Sequence, residues 1–245
     1  MPLFHWQNSA IEIDPDVERW GSKQWESLAA RYVTASGVVG TDDWTKFVIQ
    51  VQDLENGQLP AVERDRELRS TLDSLVHQLH STPAISRPTV FVSHQRLDAQ
   101  WAESAAWMAN DAYLDYWLDI HDPKLTAANA SALSPVAKSV LIAGIIEMAL
   151  VNCTHVVSMQ TVNAQRSRWV PYEFGRAKER QLLASNAASW FENAVTPGSN
   201  GDFLFLAFCA TTSTALEAWL KAAGSIPPPR SKNRWPGNKP NPLPN

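Results

Sequence analysis

The chain has only two cysteines in 245 residues, Cys153 and Cys209, each beside an apolar run. A thiol in that setting behaves as a small hydrophobe, and two of them make no disulfide framework, which predicts a reducing, cytoplasmic setting. A secretory leader is also missing, because Met1-Pro2-Leu3-Phe4-His5-Trp6 has no basic stretch followed by a long apolar one. The most apolar segment, Val140 to Val151, is interrupted by Glu147 and falls short of the roughly 20 residues that cross a bilayer. It reads as a buried helix, with no membrane partner expected. The formal net charge of −4 argues against a general nucleic-acid binder, which needs clustered Lys and Arg to meet phosphates.

Several chemical signatures are absent as well. The ten glycines form neither a Gly-x-x-x-x-Gly-Lys loop nor a Gly-x-Gly-x-x-Gly fingerprint, so ATPase and ordinary dehydrogenase readings have no support. No Gly-x-Ser-x-Gly elbow occurs. There is no His-Glu-x-x-His either; His77 and His80 share a helical face without further ligands, so solvated histidines are expected and no metal site or cofactor.

Residues 1–80 read as three helical blocks. The first opens at Asp14-Pro15, a cap followed by a proline suited to the first helical position, and carries Trp25, Leu28, Ala29, Tyr32 and Val33 on one face. The second opens at Thr41-Asp42-Asp43 and carries Trp44, Phe47, Val48, Val51 and Leu54. The third carries Leu68, Leu72, Leu75, Val76 and Leu79. With 13 acidic against 7 basic residues, this segment holds most of the acidity of the chain. Pro83 and Pro88 then mark a linker at 81–88.

From Thr89 the pattern alternates between strands and helices, the mark of a parallel sheet covered on both faces. Strands are expected at Thr89–Val92, Tyr113–Leu118, His155–Val157 and Phe203–Phe208. Helices are expected at Asp98–Asn110, up to about Val151, from Arg168 to about Leu183, and at Ser213–Ala223. A long loop runs from Asp119 to about Val136. The fold class is therefore α/β: a flavodoxin-like, doubly wound parallel sheet in the order 2-1-3-4, with a fifth strand left open and a helical extension before it. The tail 225–245 has seven prolines and four basic residues with no acid, and reads as extended and solvated.

In such a sheet the ligand crevice lies at the carboxyl ends of the strands, where the connection order reverses. That picks out Ser93 and His94 after the first strand, Ser158 at the end of the third, and the helix that opens at Ser167. Ser167 is a suitable N-cap and Pro171 falls in the first turn. Trp169 and Glu173 are four apart on one face, so an indole is expected beside a carboxylate, a setting that raises a carboxyl pKa. From spacing alone a solvated helical glutamate is the better account of Glu173, since short motifs recur by chance. Ser93-His94 could suggest a nucleophile and base, but adjacent strand residues face opposite ways. Ser93 is read as a phosphate or loop contact and His94 as a crevice wall.

Two motifs add to this. Ser93-His94-Gln95-Arg96-Leu97-Asp98 resembles the opening motif of the TIR (Toll/interleukin-1 receptor-like) domain family, and Ser167-Arg168-Trp169-Val170-Pro171-Tyr172-Glu173 is similar to its Ser-x-Trp-x-x-x-Glu signature. Between them come Asp119 after the second strand, an apolar helix and Val156-Val157-Ser158. The resemblance spans about 140 residues, 89–224 being the expected domain. It departs from the family in having no glycine soon after Asp119, in the loop that mediates TIR self-assembly.

The resemblance implies cleavage of NAD, as substrate rather than cofactor, at the nicotinamide–ribose bond, with Glu173 as the catalytic residue. It further implies that Ser93, His94, Asp119, Ser158, Ser167 and Trp169 surround the substrate. Water would give ADP-ribose and the adenine end a cyclic isomer; both stay open. It also implies a prokaryotic antiviral effector or signal generator (Thoeris-like) that forms homo-oligomers through the TIR domain. Residues 1–80 are expected to gate it, by sensing a trigger such as a partner protein or by controlling oligomerisation. The alternatives are a non-catalytic scaffold acting through TIR–TIR contacts and a nucleoside-handling transferase of similar fold.

Overall fold

The structure, a computed structural model, describes residues 41–80, 88–179, 186–193, 195–196 and 201–224. The expected first helical block, most of the linker and the proline-rich tail lie outside these residues. The described chain divides into two units, 41–80 with 120–152, and 88–119 with 153–224.

The first unit is helical. α1 (Thr41–Asn56) and α2 (Ala61–His80) are the expected second and third blocks, burying Phe47, Val48 and Val51 from one and Leu68, Leu75 and Leu79 from the other. With them group α4 (Pro123–Ala130) and α5 (Pro135–Asn152), which lie within the 89–224 span along the chain. The stretch expected as a loop after Asp119 is thus ordered as a 3-10 turn, Asp119–His121, followed by α4. Asp122 Oδ1 accepts from Leu125 N at 3.2 Å and Pro123 takes the first helical position, the same Asp-Pro start that marks the first helical block in the sequence.

α5 starts in a similar way. Ser134 Oγ accepts from Ala137 N, while Glu55 of α1 accepts from both Ser134 N and Ser134 Oγ. By length and composition α5 could cross a membrane, but 67% of it is buried within the chain, Glu147 included. It meets α1 and α2 at Gly144, where a Cβ would stand 2.9 Å from the Phe47 ring and 3.3 Å from Leu75. Only a residue without a side chain lets those helices approach so closely.

The second unit is a five-stranded, all-parallel sheet in the order β2-β1-β3-β4-β5: β1 (Thr89–Ser93), β2 (Asp115–Trp117), β3 (His155–Gln160), β4 (Ala187–Phe191) and β5 (Phe208–Ala210). The α/β class and the 2-1-3-4 core are as expected, and the fifth strand is present. The two last strands correct the sequence reading. Ala187-Ala188-Ser189-Trp190-Phe191 forms β4 although Ala and Ser favour strands little, because full burial between two neighbours outweighs propensity. Most of the expected strand Phe203–Phe208 is instead a 3-10 turn, Asp202–Leu206, which buries Leu204, sets Phe203 against Phe174 at 5.5 Å and leaves Phe205 and Leu206 exposed.

Residue parity assigns the two faces of this sheet. α3 (Ala99–Asp111) and α7 (Ser213–Ala223) cover one: Trp101 meets Trp190 edge-on at 4.6 Å, and Trp219 meets His155 at 5.7 Å. α6 (Trp169–Glu179) covers the other, over β1, β3 and β4. On that second face Ser93, Ser158, Ser189 and Cys209 lie side by side across four strands, a row of small residues that lets the helix sit close.

Candidate active site

β1 is paired on both sides and buried along its length, so its last residues are held on the carboxyl edge between β2 and β3. Consecutive residues there serve two directions. Ser93 lies on the α6 face, and its Oγ donates to Glu173 Oε2 at 2.6 Å. His94 follows the strand and brings Nε2 to 3.5 Å from Asp119 Oδ1, which stands just beyond β2. Ser93, His94 and Glu173 are all buried, whereas the Asp119 side chain is 42% exposed.

Glu173 reaches this place because Ser167 starts α6 where expected. Its Oγ accepts from Trp169 N and Val170 N, both at 3.2 Å, so its hydroxyl is committed to the helix start. One turn on, Val170 and Phe174 anchor the helix in the core and Glu173 points at the end of β1. Burial is the largest influence on its carboxyl and pushes its pKa up to about 8; the Ser93 hydrogen bond opposes this and the negative charge of Asp119 adds to it.

The other expected contacts are distributed differently. Trp169 is 41% exposed and stands edge-on to Tyr172 at 5.7 Å, so the two rings form a half-exposed pair at the helix start. Ser158 is fully enclosed: its Oγ lies 3.0 Å from Ser189 Oγ and accepts from Gln160 Nε2 at 2.9 Å. Its hydroxyl thus serves the small-residue row beneath α6. Ser93, His94, Asp119 and Glu173 come together; Ser158 supports the sheet beside them, and Ser167 caps the helix that delivers the acid.

A second cluster was not singled out as a site in the sequence. Asp98 is 4% exposed and accepts from Thr161 Oγ1 at 2.6 Å and from Asn163 Nδ2 at 2.7 Å. It thereby joins the turn after β1 to the turn after β3. Thr161 Oγ1 in turn accepts from Ala164 N, and Glu192 at the end of β4 accepts from Val162 N. The signal was present, since Asp98 is the aspartate of the opening motif, but its partners lie 63 and 65 residues away. Spacing cannot reveal them.

Among the described residues no group of three His, Cys, Asp or Glu side chains gathers as a metal site. What the constellation offers is a buried carboxyl of raised pKa, a hydroxyl that fixes one of its oxygens, and a histidine paired with a half-exposed aspartate. Such groups suit proton transfer or stabilisation of a developing cation. Compared with known protein families, curated proteins and solved structures, the chain matches none, and the site is read from its own geometry.

Proposed function

We propose that this chain is an NAD nucleosidase that breaks the bond between nicotinamide and ribose. The observation that carries the reading is the buried Glu173 carboxyl, held by Ser93 at the carboxyl end of β1 with His94 and Asp119 beside it. The Ser-x-Trp-x-x-x-Glu resemblance supports the same residue.

The chemistry follows from charge. Nicotinamide in NAD is a cation, so it favours the ionised form of a buried carboxyl that otherwise holds its proton, and it leaves as a neutral molecule without needing an acid. As the C1′–N bond lengthens, positive charge passes to the ribose, and the Glu173 carboxylate stabilises it in a site where burial strengthens the attraction. Water then gives ADP-ribose, and the adenine end gives a cyclic isomer. Trp169 and Tyr172 supply a half-exposed aromatic flank for a flat ring.

The test is incubation of the full chain with NAD at a series of pH values, products being separated by chromatography and identified by mass. Cleavage is expected to rise as pH passes about 8 and to fall by about 100-fold or more in Glu173→Gln. Survival of activity in that variant sinks the assignment of Glu173. Intact NAD, even with concentrated protein, sinks the enzyme reading.

A scaffold acting through contacts between copies has one observation in its favour. Phe205 and Leu206 are more than half exposed, and Phe208 40% exposed, at the β5 edge of the sheet. Phe205→Ser with Leu206→Ser should reduce sedimentation size under that reading. Within the proposal the enzyme works in the cytoplasm as an antiviral effector, and the N-terminal region gates it. Deleting residues 1–40 leaves α1 and α2 with α5, and unchanged activity and assembly would remove those residues from the gate.

A further inference from the structure

Among the described residues the Glu173 carboxyl is engaged on one oxygen. Ser93 Oγ donates to Oε2, and among the described residues no other hydrogen bond or ion pair reaches the group. β1 presents Ser93 and His94, the end of β2 presents Asp119, and β3 and β4 present Ser158, Gln160 and Ser189 on the face under α6. A buried carboxyl facing a like charge keeps its proton. Oε1, which no hydrogen bond reaches among the described residues, is the oxygen left to meet a ligand.

We propose that the same site hydrolyses neutral N-ribosides, with Glu173 as the general acid for the departing base and Asp119, which lies beside His94, as the acceptor of the proton from water. A base such as adenine or hypoxanthine leaves poorly as an anion, so this reaction needs an acid that NAD cleavage does not. The C1′–N bond breaks with its electron pair going to the base, which takes the Glu173 carboxyl proton. The oxygen of water bonds to C1′, and its released proton passes to the Asp119 carboxylate, which at 42% exposure can return it to solvent. Glu173 is reprotonated from solvent. The sum is riboside plus water giving ribose and free base, and a protonated acid paired with a separate carboxylate is the arrangement glycoside hydrolysis uses.

This inference shares the site with the NAD reading but not the state of Glu173, because one reaction needs the carboxylate and the other the acid. The full chain is incubated with adenosine, inosine, guanosine and, in parallel, NAD, on either side of pH 8, and released base is measured by chromatography. Base release from the neutral ribosides is expected to fall as pH rises through that region, opposite to NAD cleavage. Glu173→Gln is expected to remove it by about 100-fold or more. Asp119→Asn, at a half-exposed position where folding is little affected, is expected to lower it about tenfold or more. No free base from any of the three ribosides, release that rises with pH, or release undiminished in both variants overturns the proposal. NAD cleavage without riboside cleavage overturns it while leaving the NAD reading intact; riboside cleavage without NAD cleavage does the reverse.

Discussion

Ser93 Oγ lies 2.6 Å from Glu173 Oε2, a hydrogen bond between residues 80 apart in the chain and both buried. It joins the end of β1 to the second turn of α6, the helix that crosses it. The serine draws the carboxyl toward ionisation while burial and Asp119 draw it away, and burial dominates.

That balance sets a pH dependence of stability. With the Glu173 pKa raised from 4.5 to about 8, the unfolded chain releases this proton across a range in which the folded chain keeps it. Its contribution is therefore complete below pH 4.5 and is lost as pH rises to about 8. Glu173→Gln has nothing to ionise, so its stability relative to the parent should grow across this window and level off above it. The slope is at most about 1.4 kcal/mol per pH unit, read as the difference in urea midpoints at pH 5 and 9. A difference independent of pH would count against a protonated Glu173.

Ser93→Ala removes the donor and leaves Oε2 buried without it. The carboxyl should then titrate above about 8, and the pH at which NAD cleavage rises should move up with it. Carbon-13 NMR of the glutamate carboxyls reads the shift directly, whatever the substrate. Loss of a buried hydrogen bond should also cost about 1–3 kcal/mol in unfolding experiments, and Ser93→Thr, which keeps the hydroxyl, should restore most of both effects.

Asp98 should behave as a structural tie. Asp98→Ala leaves Thr161 and Asn163 without their acceptor and is expected to destabilise the chain by about 2–4 kcal/mol. Thr161→Ala in the Asp98→Ala background should cost much less than in the parent, since the shared bond is already gone. Additive unfolding energies in that double-mutant cycle would show that the two turns are not tied through this pair.

Gly144→Val places two methyl groups where even a Cβ would lie 2.9 Å from Phe47. Thermal unfolding should show a loss of about 1–3 kcal/mol, partly recovered by Phe47→Leu, which frees space on α1. No recovery would mean that the glycine is needed for another reason.

The periodicity of the chain was enough to specify the α/β class, α1 and α2, four of the helical positions and β1 to β3, because those segments carry repeated apolar signals and, at Ser167, a recognisable cap. It also picked out Ser93 and His94, since strand ends are local features, whereas Asp119 and the choice of Glu173 rested on the family resemblance. α4 was legible in principle from Asp122-Pro123, the signal used at Asp14-Pro15, but the weak apolar pattern after it hid the helix.

What local pattern could not supply was partnership. Ala187–Phe191 is a strand because β3 and β5 flank it, and Phe203–Leu206 is not one despite its apolar run, because only some of its side chains find cover. Ser158 turned inward to Ser189, Asp98 found partners more than 60 residues away, and the raised pKa of Glu173 came from enclosure by the sheet rather than from spacing to Trp169. Propensity and capping act over a few residues and are written in the chain, whereas burial and the pairing of distant polar groups exist only once the sheet and helices have come together.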